Sequence, residues 1–236
     1  MPIGKDTSRP TLRLSAALLL SGQLLYILVT QFHADGEANN HRAVFAEYAR
    51  SGTWTAVHVG QFAAMAILLG GLLALFFALE DRGGSTRWTH RFGAAAAVAA
   101  LALYGALQGV DGVANKQADL AWMSATGAEK AGRFASAEAI RWIEWGLRSY
   151  QDFTLGVALL LFAAAVAKTA WIPRPIGYLM GLSGLAYLVQ GWVVGSKGFS
   201  MTESIAIVSS WLLSVGWMIW LVVIAQRMQN SRSSNP

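Results

Sequence analysis

The chain has no cysteine. Disulfides, thiolate metal sites and cysteine nucleophiles are therefore excluded. Charge is also scarce: Asp, Glu, Lys and Arg make up 13% of the 236 residues, about half the share in an ordinary soluble domain. There are five prolines, and none interrupts a long apolar run; Pro173 and Pro175 fall in a loop. Transporters built on broken helices usually show Gly/Pro-interrupted spans, and that pattern is missing. No Gly-rich phosphate loop is present, since "GALQGVDG" lacks a preceding strand. His-Glu-x-x-His, G-x-S-x-G and Ser-x-x-Lys are absent too. The net charge of +5 comes without a basic patch interleaved with aromatics, so nucleic acid is not an expected partner. In so apolar a chain it points instead to basic loops at a membrane surface.

What the chain has in surplus is apolar sequence, 55% of all residues. A membrane span needs about 20 mostly apolar residues. Six segments qualify: Leu12–Phe32, Trp54–Leu79, Phe92–Val113, Leu147–Ala167, Ile176–Gly195 and Ile205–Ala225. The expected fold is all-α, a six-span transmembrane bundle with two outer amphipathic helical segments and both termini cytoplasmic. Residues 1–11 form an N-terminal tail, 12–226 one membrane domain and 227–236 a disordered tail. Orientation follows from the basic residues. The side holding the termini and the loops at 80–91 and 168–175 carries ten Lys/Arg against three acids; the other side carries eight against ten. The first apolar run is too long for a signal peptide, and "QFHAD" offers no small-x-small cleavage site. The bilayer of the cell's cytoplasmic membrane is thus the expected surrounding.

The long outer connections read as helical. "NNHRAVFAEYARSG" supplies Asn39 or Asn40 as an N-cap and Gly52 as a stop. "TGAEKAGRF" supplies Thr126 with Glu129 three residues on, a capping-box spacing. Glycines four apart (Gly105 and Gly109, Gly177 and Gly181, Gly191 and Gly195) suit close helix packing.

Each span also carries one polar stripe at helical spacing. The stripes are Gln23, Tyr26, Thr30 and His33; Trp54, His58, Gln61 and Met65; Tyr104, Gln108, Asp111 and Asn115; Ser183, Tyr187 and Gln190; and Ser210, Ser214 and Trp217. The fourth span opens on "EAIRWIEWGLRSYQDF", with Glu138, Arg141, Glu144, Arg148 and Asp152 on one face. Polar groups facing hydrocarbon cost several kcal/mol, so the stripes must turn inward. Most of the ionic and amide groups lie in the outer half of their spans, above an apolar plug.

Asp111 is the costliest residue, at about 2.5–3.5 kcal/mol within a span. Its expected partner is Arg148, with Asp152 or Glu144 as further members. Such a pair either locks the bundle or holds a ligand. The candidate ligand-binding residues are Asp111, Arg148, Asp152, His58 and Gln61, joined by Gln108, Glu144, Arg141 and Gln190. No cofactor and no metal site is expected. Outer histidines on adjacent helices suit a haem or metal, but only His58 lies well inside a span. The deep tryptophans Trp211, Trp217 and Trp220 read as packing.

"HRAVFAEYARSGTWTAVHVGQF", "LQGVDGVANKQADLAW" and "AEAIRWIEWGLRSYQDF" resemble a group of bacterial multi-pass membrane proteins, a domain of unknown function. The similarity runs over residues 12 to 225 and implies the topology; no catalytic residues come with it. The expected function is the binding or movement of a small ligand through an outward-facing polar cavity. Alternatives are a membrane redox protein or enzyme using His58 and Asp111, and a partner subunit of a membrane complex.

Overall fold

A computed structural model describes residues 8–34, 36–37, 39–80 and 87–233. Among them every regular element is helical: α1 (Ser8–Thr30), α2 (His41–Arg50), α3 (Trp54–Glu80) and α4 (Arg87–Gly109), then a π-helical segment (Val110–Asn115), α5 (Lys116–Ser124), α6 (Glu129–Lys168), α7 (Arg174–Lys197) and α8 (Met201–Ser233). Six helical units are long and apolar enough to cross a membrane: α1, α3, the continuous run Arg87–Ser124, α6, α7 and α8 up to Met228. The protein is a multi-pass, all-helical membrane protein.

The six units close into a ring. Contacts run α1–α3, α3–α4, α4–α6, α6–α7 and α7–α8, and α8 returns to α1. Hydrophobicity cannot drive this association, because lipid tails are as apolar as leucine; close van der Waals fit must. Small residues provide it. A Cβ on Gly22 of α1 would lie 2.5 Å from the Leu68 backbone nitrogen, and one on Gly71 of α3 would lie 2.7 Å from that of Leu19. Gly156 of α6 and Gly184 of α7 press on each other's carbonyl oxygens in the same way. Gly177, Gly191 and Gly195 also press on α6, as their spacing suggested, whereas a Cβ on Gly109 would meet nothing within 4 Å.

One end holds the beginning of α1 and the end of α8, joined by Arg9 Nη1 donating to the Met228 carbonyl at 3.2 Å. Here Leu12, Leu72, Leu75, Phe162, Ile176 and Leu221 build an apolar core. At the other end α2 and α5 cover the ring, with a second cluster of Val44, Phe45, Tyr48, Trp54, Trp122 and Ala137. Asn40 caps α2, its side chain accepting from the Ala43 amide. α2 ends at Arg50 with Ser51 as C-cap, and Gly52 follows directly after it. Its last carbonyls are tied down by Lys116, whose Nζ donates to Tyr48, Ala49 and Ser51 at 2.7, 2.9 and 2.8 Å, satisfying groups the helix cannot pair itself.

Three expected boundaries shift. The third unit starts at Arg87 and continues through the π segment to Ser124. α6 starts at Glu129, and Thr126 does not cap it: the residue before the helix is Ala128, without a side-chain cap. Gly127 turns the chain at φ 58° instead, a left-handed backbone that glycine adopts without cost. α6 has 40 residues, about 60 Å at 1.5 Å each, twice the hydrocarbon thickness of about 30 Å. Its charged first half therefore need not lie in lipid. α8 runs on to Ser233, into the segment expected as a tail. Lys5, Asp6, Asp35, Asp81 and Arg82, whose charges enter the orientation count, lie outside the described residues, as does the 234–236 end of the expected tail.

Candidate functional site

At the α2 end the ring encloses a cavity of about 440 Å³. α1 contributes Tyr26 and Thr30, α3 contributes Gln61, and α4 with the π segment contributes Tyr104, Gln108 and Asp111. α6 adds Arg141, Glu144 and Arg148, and α8 adds Glu203, Ser204 and Trp211. Gln31 and Ser204 also line it and are exposed, so the cavity reaches the protein surface. The polar stripes turn inward, and Tyr26, Thr30, His33, Gln61, Tyr104, Gln108 and Asp111 from three of them line these walls. Trp54, His58, Gln61 and Met65 are all buried, as are Ser183, Tyr187 and Gln190, and Ser210, Ser214 and Trp217. Trp217 packs at depth and donates to Ser183 Oγ at 3.2 Å.

Asp111 does not pair with Arg148. Its Oδ2 lies 3.2 Å from His58 Nε2 instead. The reason lies in α6, which satisfies its own ions at the i+3 and i+4 positions that share a helix face. Arg148 Nε donates to Asp152 Oδ2 at 3.1 Å, and its Nη1 donates to the Tyr26 hydroxyl at 3.0 Å. Arg141 Nη1 donates to Glu144 Oε2 at 2.6 Å and to the Tyr48 hydroxyl at 3.1 Å. Asn115 Nδ2 donates to the same Glu144 oxygen at 2.6 Å. Glu138 takes His41 Nδ1 at 2.9 Å. With both arginines paired along their own helix, Asp111 is left to α3.

The π segment sets where Asp111 stands. An extra residue in the helical turn re-aims the side chains that follow, and π-bulges recur at functional sites. The backbone this disturbs is repaired by Trp54, whose Nε1 donates to the Gly112 carbonyl at 2.9 Å. Gly112 also lets α3 in: a Cβ there would lie 2.9 Å from His58 Cβ. His58 is 4% exposed. Its Nδ1–H donates to the Trp54 carbonyl at 2.8 Å, because a carbonyl can only accept. Nε2 is left facing the Asp111 carboxylate, close to it but without hydrogen-bond geometry.

His33, in the connection after α1, stands next to this pair, with ring centroids 5.1 Å from His58 and 5.1 Å from Trp54. Its Nδ1–H donates to the Ala34 carbonyl at 2.7 Å. Burial lowers its pKa below the usual histidine value, so the ring is neutral near pH 7. Burial raises the pKa of the Tyr48 phenol, which stays a hydroxyl able to accept from Arg141.

Six of the nine candidate residues line the cavity: Asp111, Arg148, Gln61, Gln108, Glu144 and Arg141. His58 stands behind Asp111, and Asp152 behind Arg148. Gln190 is buried without a hydrogen-bond partner for either side-chain end, and it does not line the cavity. Sequence reasoning passed over Tyr48 and Glu203, which also line it. Glu203 sits on the first turn of α8, where the apolar run that marked the span had not yet begun. Asp119 was passed over too; it is 1% exposed, and neither carboxylate oxygen has a hydrogen-bond partner. No protein-family model, curated protein or solved structure matches the chain.

Proposed function

We propose that the protein binds a small cationic or zwitterionic ligand, an organic amine, in this cavity, and that the cavity faces the outside of a bacterial cytoplasmic membrane. The observation that carries the reading is the composition of the walls. Asp111, Glu144 and Glu203 bring three carboxylates against the two guanidiniums of Arg141 and Arg148. Glu203 Oε1 is buried with no hydrogen-bond partner. Tyr26 stands edge-on to both Tyr104 and Trp211, with centroids 6.2 Å apart in each case, and all three rings line the cavity. Aromatic faces attract ammonium groups, and ionisable side chains at membrane depth mark ligand or ion paths by default. The outward orientation is supported by the excess of basic residues on the other side. Membership of the bacterial multi-pass group rests on the sequence resemblance.

Thermal unfolding of the purified protein in detergent tests this. A panel of primary amines, quaternary ammonium ions and zwitterions should contain compounds that raise Tm by several degrees, with the shift lost in Glu203→Gln and in Trp211→Leu. If simple carboxylates shift Tm while no amine does, the reading is wrong.

A further inference from the structure

We propose that His33, His58 and Asp111 form a binding site for a divalent transition-metal ion. One ligand atom from each of the three lies within 4.8 Å of the other two. The site shares His33 and Asp111 with the cavity, but it does not depend on an ammonium ligand being bound there.

Three features fit an ion in this corner of the bundle. First, both histidines are committed through Nδ1. His33 donates to the Ala34 carbonyl and His58 to the Trp54 carbonyl. Metal-binding imidazoles characteristically give their second ring nitrogen to such an acceptor, which fixes the tautomer and turns the other nitrogen toward the ion. Second, His58 Nε2 stands 3.2 Å from an Asp111 carboxylate oxygen without hydrogen-bond geometry. Two ligand atoms at about 2.1 Å from a tetrahedral ion stand about 3.4 Å apart, so this edge of the coordination shell is already formed. Third, the supporting residues are in place. Asn115 Nδ2 reaches the other Asp111 oxygen at 3.4 Å. Trp54 covers the His58 ring at a centroid distance of 4.3 Å.

The contrast with the chain's other buried histidine sharpens the point. His90 Nε2 meets Glu80 at 2.7 Å, but that carboxylate is also held by Arg87 and Arg91. Its charge is already matched, and no second imidazole stands beside it among the described residues.

Two imidazoles and one carboxylate select Zn²⁺, Fe²⁺ or a neighbouring first-row ion over Mg²⁺ or Ca²⁺, which prefer all-oxygen shells. Three protein ligands leave coordination positions open. Asp111 lines the cavity, so an open position would face it, where water or a ligand donor atom can enter.

Untagged protein, purified in detergent and stripped with chelator, should be titrated with Zn²⁺ and separately with Co²⁺. The expected result is one ion per chain, a rise in Tm with Zn²⁺ and visible absorption bands from bound Co²⁺. Affinity should fall at least about tenfold in His33→Ala and in Asp111→Asn, and about tenfold or more in Asn115→Ala, the usual cost of losing a supporting contact. His90→Gln should bind as the wild type does. His33 lies outside the spans, so its variant remains a test if a change at His58 or Asp111 prevents folding. Absence of stoichiometric binding of either ion would overturn the proposal, and so would His33→Ala and Asp111→Asn binding as tightly as wild type. Glu203→Gln should leave metal binding intact, which separates failure of this site from failure of the amine reading.

Discussion

Around Phe162, Leu72 and Leu221, the side chains that meet inside the ring are apolar. At the α2 end the same helices bring Arg141, Glu144, Arg148, Asp152, Asp111 and His58 together. The apolar half holds by fit. Its helices approach until glycine is the only residue that leaves room, as at Gly22, Gly71 and Gly156. The polar half holds through its paired arginines, Arg141 and Arg148. Each arginine has a carboxylate on its own helix and a tyrosine hydroxyl from another element. Changes of shape should therefore be costly in one half, and changes of charge in the other.

Arg141→Met attacks the polar half at its most enclosed ion pair. It leaves Glu144 buried without its cation and should cost about 3–5 kcal/mol, read as a large fall in thermal stability. Arg141→Met combined with Glu144→Leu should recover most of that loss, because a buried pair replaced as a unit by apolar groups is often neutral. A single substitution without cost would show that the pair contributes nothing to the fold.

Gly71→Ala and Gly70→Ala test the apolar half with neighbouring residues. A Cβ on Gly71 meets the Leu19 backbone, while one on Gly70 meets nothing within 4 Å. Gly71→Ala should cost about 1–3 kcal/mol through overpacking. Gly70→Ala should be neutral or should stabilise by up to about 1 kcal/mol, the helix preference for alanine. Equal effects would remove the claim that close fit holds α1 to α3.

Asp119→Asn is the smaller test of the polar half. The carboxylate is buried without a hydrogen-bond partner, a costly state for a charge. The neutral amide should raise stability by about 1 kcal/mol. A fall would mean that the carboxylate has a partner in the membrane.

Much of this contrast is legible in the sequence. The six runs are long, and stripes such as Trp54, His58, Gln61 and Met65 keep their spacing because one helix face is buried along its length. The pairing of Asp111 was not legible. Arg148 and Asp152 stand four apart on one helix, so the nearer partner prevailed over the one on another helix. The π segment at Val110–Asn115 carries no local sequence mark; "VDGVAN" reads as ordinary helix with two polar residues. His33 looked like the end of a span, and only the turn of the chain back over Tyr48 and His58 places it beside Asp111.

The native chain has no cysteine, so a single introduced thiol can report on water access. Gln108→Cys places one on the cavity wall, and Leu72→Cys places one in the apolar core. A membrane-impermeant thiol reagent added to intact cells should label Gln108→Cys and leave Leu72→Cys unlabelled. In inverted vesicles neither should react. If Gln108→Cys is silent from outside, or reacts only in inverted vesicles, the polar cavity open to the exterior does not exist.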